Sequence, residues 1–93
     1  MEILIKEQEA KGYAMARENE KKAGAMTYSI AGEGLIIIDH TEVEPEYNGR
    51  SVGKQMLYKI VDRAREKNIK IIPLCPFAAA IFKRTDDIKD VLK

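Results

Sequence analysis

LIIIDHTEVEPEYNGRSVGKQMLYKIVDRAREK, residues 35–67, decides the fold of this 93-residue chain. It begins with an unbroken apolar run over 35–38, a pattern typical of a strand covered on both faces in the middle of a sheet, and the strand is expected to continue through polar residues to Val43. After a turn with two glycines, apolar residues recur at helical spacing from Val52 to Lys67. The next apolar run, from Lys70 to Leu74, predicts a short strand, so that strand, helix and strand form a right-handed crossover between parallel strands.

Before this crossover, the alternation of side chains predicts three strands, over 2–6, from Gly12, and over 25–30, arranged as an antiparallel meander. Residues 18–22 predict a polar turn. After the crossover, Pro76 predicts the start of a second helix that runs to about Arg84, and residues 86–92 predict one or two further turns. The expected fold class is α/β (α+β in some schemes): a mixed sheet of about five strands with one long and one or two short helices, in a single domain over 1–93.

The composition narrows the class of partner. Sixteen basic and fifteen acidic residues give a net charge of +1, which provides no large field for nucleic acid or an anionic membrane. One cysteine excludes an internal disulfide and fits a reducing compartment, so we expect a cytoplasmic protein. One histidine and one cysteine, far apart in the sequence, are too few soft ligands for zinc, and no metal is expected. We expect a monomer or a weak homodimer.

The turn between the central strand and the long helix contains the pattern for anion binding. It reads Asn48-Gly49-Arg50-Ser51-Val52-Gly53-Lys54, with a basic residue on each side of the serine. Glycines let the backbone approach a ligand closely, and the free amides of the first helical turn carry the positive end of the helix dipole. Such a turn can hold a pyrophosphate, although a plain turn between a strand and a helix has the same glycine spacing.

This turn resembles the coenzyme-binding turn of the GNAT acetyltransferase superfamily, with Asn48 at its first position and Ser51 at its central glycine. The resemblance becomes specific when His40-Thr41-Glu42-Val43, the turn, and Pro73-Leu74-Cys75-Pro76-Phe77 are taken in order, and it points to a branch of very short GNAT-like proteins. It implies that the strands ending at Val43 and Leu74 splay apart and admit the pantetheine arm of acetyl-coenzyme A (acetyl-CoA). It also implies that backbone groups from Thr41 through Glu42 to Val43 bind that arm, with the Val43 amide near the thioester carbonyl.

Two side chains are candidates for the chemistry. Cys75 precedes Pro76 and so occupies the N-cap region of the second helix, where it is a candidate nucleophile that accepts the acetyl group. The alternatives are that it only lines the thioester pocket or is an inert buried side chain. His40 is a candidate base for the incoming ammonium or for the Cys75 thiol, because histidine is the side chain most often used for proton transfer. Glu42, on the same strand face as His40, is equally a candidate base or a solvated charge.

One position departs from the family pattern. Many GNAT enzymes have a tyrosine that protonates the departing thiolate, and the resemblance places Ile81 there. Phe77 and Phe82 are expected to be core or pocket-wall residues. The resemblance implies an N-acetyltransferase that moves acetyl from acetyl-CoA to an unidentified small amine or peptide. The alternatives are a non-catalytic acyl-CoA-binding sensor and an interaction module.

Overall fold

Five strands lie side by side in the order in which they occur along the chain, in a computed structural model that describes residues 1–93. They are β1 (Glu2–Gln8), β2 (Lys11–Glu18), β3 (Lys21–Gly32), β4 (Leu35–Val43) and β5 (Lys70–Pro73). The first four form an antiparallel meander, and β5 pairs with β4 in parallel. The mixed sheet predicted from the sequence is therefore confirmed.

The helices follow the predicted order. Helix α1 spans Val52–Lys67 and ends at Asn68, whose φ of 60° is left-handed. Helix α2 spans Pro76–Arg84 and begins with the predicted proline. Two short 3₁₀ helices complete the chain: Pro45–Tyr47 before α1, and Asp86–Val91, which takes the place of the further turns predicted at the C-terminus.

Three bounds differ from the sequence prediction. β1 and β3 extend beyond residues 2–6 and 25–30, and the polar turn over 18–22 narrows to Asn19 and Glu20 because the neighbouring residues join the strands. Both turn residues have positive φ, of 51° and 66°. The backbone pairing of β2 with β3 thus continues through charged side chains that the hydrophobic pattern assigned to a turn.

The hydrophobic core lies on one face of the sheet. Ile36 and Ile38 of β4 are buried beneath the helices, whereas Leu35 and Ile37 on the opposite face are only half-buried. The prediction that β4 is covered on both faces was therefore wrong, because α1, α2 and the C-terminal 3₁₀ helix all contribute to one core cluster. Small side chains at Ala14 and Ala16 of β2 form part of that cluster.

A β-bulge in β4 changes which side chains face the helices. Tyr28 of β3 pairs with Ile38, but its neighbour Thr27 pairs with His40, so Asp39 is an extra residue in β4. A bulge of this kind shifts the alternation of side chains by one residue. After it, Thr41 lies on the helix face with Met26, its partner in β3, whereas His40 and Glu42 lie on the helix-free face.

A polar network connects the first strand to the long helix. The hydroxyl of Tyr28, a fully buried residue, donates to Oε2 of Glu7 at 2.6 Å. Arg63 of α1 donates to both carboxylate oxygens of Glu7, at 3.0 and 3.2 Å. The hydrogen bonds from Arg63 and Tyr28 lower the pKa of the Glu7 carboxyl, while burial of Tyr28 and its bond to Glu7 raise the pKa of the phenol. The network thus favours an ionised carboxylate and a neutral phenol.

Replacement of Glu7 with glutamine is expected to lower the unfolding free energy at pH 7 by about 1–2 kcal/mol, since it removes the charge from hydrogen bonds to a buried phenol and an arginine. The folded-state pKa of Glu7 is depressed. Its contribution is therefore present above its unfolded-state pKa of about 4.3 and is lost as the pH falls through the folded-state value. Urea unfolding at pH 7 and at a series of lower pH values measures the effect.

The difference between wild type and Glu7→Gln should shrink as the pH falls below about 4, because protonated glutamate and glutamine carry the same charge. Glu33→Gln, at an exposed carboxylate in the turn between β3 and β4, is the matched control and should change stability little at any pH. A constant difference across the pH range would show that the network does not depend on the Glu7 charge.

Candidate functional site

The site begins where β5 ends. β5 pairs with β4 only as far as Pro73, opposite Ile38. The amides of Leu74 and Cys75 then both donate to the carbonyl of Ile38, at 3.1 and 3.0 Å, and the chain turns into α2. β4 itself continues to Val43. The last part of β4 consequently has a backbone edge without a partner strand.

Backbone donors of β4 point to this free edge. The amide of Glu44 donates to the carbonyl of Ala23, at 2.8 Å, on the side of β3. Because successive residues of a strand direct their backbone groups to opposite sides, the amides of Val43 and Thr41 point away from β3. They face the space that β5 has left open, which is the position that the family resemblance requires of the Val43 amide.

The turn before α1 adds a second set of backbone donors. Gly49 and Ser51 both have positive φ, of 82° and 58°, so the chain reverses tightly before the helix begins. The amide of Gln55 makes a helical hydrogen bond to the carbonyl of Ser51 at 3.0 Å, so the amides of the preceding turn, from Val52 to Lys54, have no acceptor within the helix. The first turn contains no acidic residue. Free amides and the positive end of the helix dipole are the features that favour an anion at such a position.

These two sets of donors lie in one cleft of about 380 Å³, which we call the α1 cleft. Its walls include seven of the residues predicted to bind the coenzyme, together with two aromatic side chains. They are Thr41, Val43, Tyr47, Asn48, Gly49, Ser51, Val52, Gly53 and Phe77. Phe77 was expected to be a core or pocket-wall residue, and Tyr47 was not predicted by the sequence analysis. Its position directly before Asn48-Gly49 was the available signal.

Two predicted basic residues turn away from the cleft. The two terminal guanidinium nitrogens of Arg50, Nη1 and Nη2, contact the carboxylate of Glu18 at 2.8 and 2.9 Å, and the central guanidinium carbon lies 5.2 Å from the centre of the Tyr47 ring. The hydrogen bond between the two lowers the pKa of Glu18 and raises that of Arg50. Lys54 lies over the ring of Tyr58, at 5.6 Å. The charges that flank the turn are thus engaged with neighbouring side chains, and the cleft relies on backbone donors.

Glu42 and His40 lie on the helix-free face of the sheet, outside the cleft. Glu42 forms a 2.6 Å ion pair with Lys22, and this hydrogen bond lowers the pKa of the carboxyl. His40 is exposed on the same face. The shared face predicted for the two residues therefore matches the register of the sheet.

Cys75 occupies the N-cap of α2, as its place before Pro76 predicted. It is 5% exposed, and its Sγ lies 3.1 Å from the hydroxyl oxygen of Thr41 on the helix face of β4. His40 lies on the other face. The hypothesis that His40 deprotonates the Cys75 thiol directly is not supported, because the sheet separates the two side chains.

The structure adds to or corrects the sequence interpretation at three further positions. Ile81 is 1% exposed, so the position at which the family resemblance expects an acid belongs to the core. Gly53 was expected to make room for a ligand, but a Cβ added there would overlap the ring of Phe77. The absent side chain at 53 thus makes room for an aromatic ring of the protein itself. Ser51 makes no side-chain cap hydrogen bond, so its hydroxyl does not cap α1.

Two general observations accompany the site. No group of three or more histidine, cysteine, aspartate or glutamate side chains is arranged to hold a metal ion. None of the helices has both the length and the apolar character that crossing a membrane requires.

Comparison with known proteins identifies the same architecture. Residues 12–91 match the family model described as GCN5-related N-acetyl-transferase. The solution structure of a GCN5-like protein from Staphylococcus aureus is 39% identical, with a TM-score of 0.72 over 97% of this chain and 87% of that one. A search of curated proteins gave no match.

Two more distant structures show the fold alone. The ribosomal-protein-alanine N-acetyltransferase of Brucella melitensis biovar Abortus 2308 is 17% identical, with a TM-score of 0.71 over 83% of this chain and 62% of that one. An aminoglycoside N-acetyltransferase, AAC(6')-Iy, determined in complex with CoA, is 11% identical, with a TM-score of 0.60 over 82% and 66% of the two chains.

Ser51 allows a test of the turn geometry. Serine in the left-handed region is strained by about 1–2 kcal/mol, of which the greater flexibility of glycine in the unfolded chain offsets about half. Ser51→Gly is therefore expected to raise the unfolding free energy by about 0.5–1 kcal/mol and the melting temperature by a few degrees. Ser51→Ala should be nearly neutral, because the hydroxyl caps nothing. Ser51→Val should lose more than about 1 kcal/mol. A higher melting temperature for Ser51→Val than for Ser51→Gly would contradict the left-handed conformation of residue 51.

Proposed function

This chain belongs to the family of GCN5-related N-acetyltransferases, and we propose that it binds acetyl-CoA in the α1 cleft and transfers the acetyl group to an amine. The observation that carries the proposal is that the free edge of β4 and the amino end of α1 line the same cleft. One set of donors suits a diphosphate and the other suits an amide-containing arm. The cleft thus has the two kinds of recognition that this co-substrate requires.

The residues of the turn would hold the diphosphate. The amides from Val52 to Lys54 have no helical acceptor, and the positive φ of Gly49 and Ser51 shapes the backbone around them. The free amides of Thr41 and Val43 would bind the pantetheine arm. Acetyl-CoA supplies an activated thioester, and a backbone donor at Val43 would stabilise negative charge on the carbonyl oxygen during transfer.

The amine would approach over the helix-free face of the sheet. The helix face of β4 is occupied by Thr41 and Cys75 next to the cleft, whereas the opposite face presents His40 and Glu42 near the point where β5 ends. We therefore assign His40 to deprotonation of the incoming ammonium. Glu42, held ionised by Lys22, would attract that cation. The acceptor is a small amine or a peptide amine.

Cys75 lies next to the α1 cleft, in contact with Thr41, and two routes of acetyl transfer are consistent with this position. Its burial and its N-cap position place the sulfur behind the wall of the cleft that Thr41 forms. Either the amine attacks the thioester directly, with Cys75 packed beside it, or the Cys75 sulfur first accepts the acetyl group and releases CoA thiol. The two routes differ in whether an acetylated protein forms. Ser51 at the central glycine of the turn and Ile81 where the family has a tyrosine motivate a third outcome, a non-catalytic acyl-CoA-binding protein.

Replacement of Ser51 with aspartate tests the location of the diphosphate. Aspartate tolerates the left-handed region and is favourable at a helix N-terminus, so we expect unfolding stability equal to or above that of wild type. Its charge would repel the diphosphate, so the dissociation constant of acetyl-CoA should rise at least tenfold, or about 1.4 kcal/mol. Calorimetric titration and thermal unfolding measure the two effects.

Ser51→Asn is the matched control, because asparagine has the same shape and no charge. It should bind acetyl-CoA within about threefold of wild type, a difference of roughly 0.7 kcal/mol. If the aspartate variant binds acetyl-CoA as tightly as the asparagine variant, the diphosphate does not lie at the start of α1. A wild-type protein that shows no binding would refute the whole proposal.

The mass of the intact protein after incubation with acetyl-CoA distinguishes the routes of transfer. If Cys75 accepts the acetyl group, wild type gains one acetyl group and Cys75→Ala gains none, whereas both still bind acetyl-CoA. Release of free CoA thiol with amines, without an acetylated protein, indicates direct attack by the amine. Absence of both signals across a panel of amines indicates a protein that binds the thioester without catalysis.

A further inference from the structure

Phe77 is a large apolar side chain that the fold leaves partly exposed. It lies in the first turn of α2 and is 43% exposed, whereas Phe82 of the same helix is 1% exposed. Its ring forms one wall of the α1 cleft. A ring that served only the packing of α2 against α1 would be covered as Phe82 is. Its exposed surface is therefore available to a ligand in the cleft.

Gly53 determines where this ring lies. It is buried in the first turn of α1, and a Cβ built on it would overlap two carbons at the outer end of the Phe77 ring. The ring therefore lies directly against the backbone of α1, beside the amides that precede the first helical hydrogen bond. Any side chain at residue 53 would displace it, and the exposure of Phe77 means that the ring can move.

The cleft divides into a polar and an apolar part. Asn48, Gly49 and Ser51 form the polar part at the turn, and Val43 and Phe77 contribute apolar surface. A diphosphate needs the first, and an alkyl or amide arm needs the second, because burial of apolar surface against an aromatic ring stabilises a complex. The position of Phe77 at the edge of the cleft thus suits the arm rather than the charged group.

We propose that Gly53 and Phe77 form a pair that positions the pantetheine arm: the glycine seats the ring, and the ring supplies the apolar wall against which the arm packs. This inference rests on the proposed function, since it assumes that acetyl-CoA occupies the α1 cleft. It changes the role of Gly53 from close approach to the ligand to placement of a binding residue. The absence of a side chain at residue 53 then acts on binding only through Phe77, while the backbone amide of Gly53 remains one of the donors at the start of α1.

A double-mutant cycle tests the pair, with the dissociation constant of acetyl-CoA measured by calorimetry for wild type, Gly53→Ala, Phe77→Ala and the double variant. Each single replacement is expected to weaken binding about fivefold to tenfold, because the apolar wall is displaced in one and removed in the other. The double variant should bind no more weakly than Phe77→Ala, since alanine at residue 53 has no ring left to displace.

Gly32→Ala is the matched control for the glycine replacement. A Cβ at Gly32 has no neighbour within 4 Å, and binding should equal that of wild type. Thermal unfolding without ligand establishes that each variant is folded, and Phe77→Leu, which keeps an apolar side chain, should recover part of the lost affinity.

The outcomes separate the two proposals. If wild type does not bind acetyl-CoA, the proposed function and this inference are both wrong. If wild type binds and the two replacements are additive, Gly53 acts on the ligand independently of Phe77, and the inference is wrong. Unchanged binding in folded Phe77→Ala would also overturn it while leaving the proposed function intact.

Discussion

The early end of β5 is the constraint on which the site depends. A parallel partner strand would satisfy the backbone groups of β4 along its whole length, but Pro73 is the last residue of β5 and the next two amides share the carbonyl of Ile38. Backbone donors beyond that point face open space. The start of α1 lies in the same region, and its first amides also lack acceptors within the helix. Two incomplete hydrogen-bonding patterns therefore meet in one cleft.

The sheet also divides the chemistry between its two faces. The bulge at Asp39 reverses the alternation within β4, so that Thr41 faces the helices and contacts Cys75, while His40 and Glu42 remain on the helix-free face. Because no helix covers that second face, His40 and Glu42 are exposed to solvent there. In such a small chain, one strand thus supplies residues to both sides of the transfer that we propose.

The aromatic residues at the cleft show how a minimal fold extends its binding surface. Tyr47 is buried beside the turn, with the guanidinium of Arg50 over its ring. Phe77 stays partly exposed against Gly53. Tyr47 and Phe77 each lie within a few residues of the start of a helix, where the polar donors are backbone amides. Apolar side chains at these positions complement those donors, and an amphipathic ligand needs both kinds of contact.

The sequence by itself determined the order of the elements, the bounds of α1, the N-cap position of Cys75 and the turn at the start of α1, because local periodicity, proline and glycine govern each of them. Only the tertiary structure decided which face of β4 each polar residue occupies, since a single bulge shifts the alternation and leaves no mark in the hydrophobic pattern. The partners of Arg50 and Gly53 lie on other elements, at Glu18 and Phe77. Contacts between residues so distant in the chain depend on how the elements pack, so neither composition nor spacing could predict them.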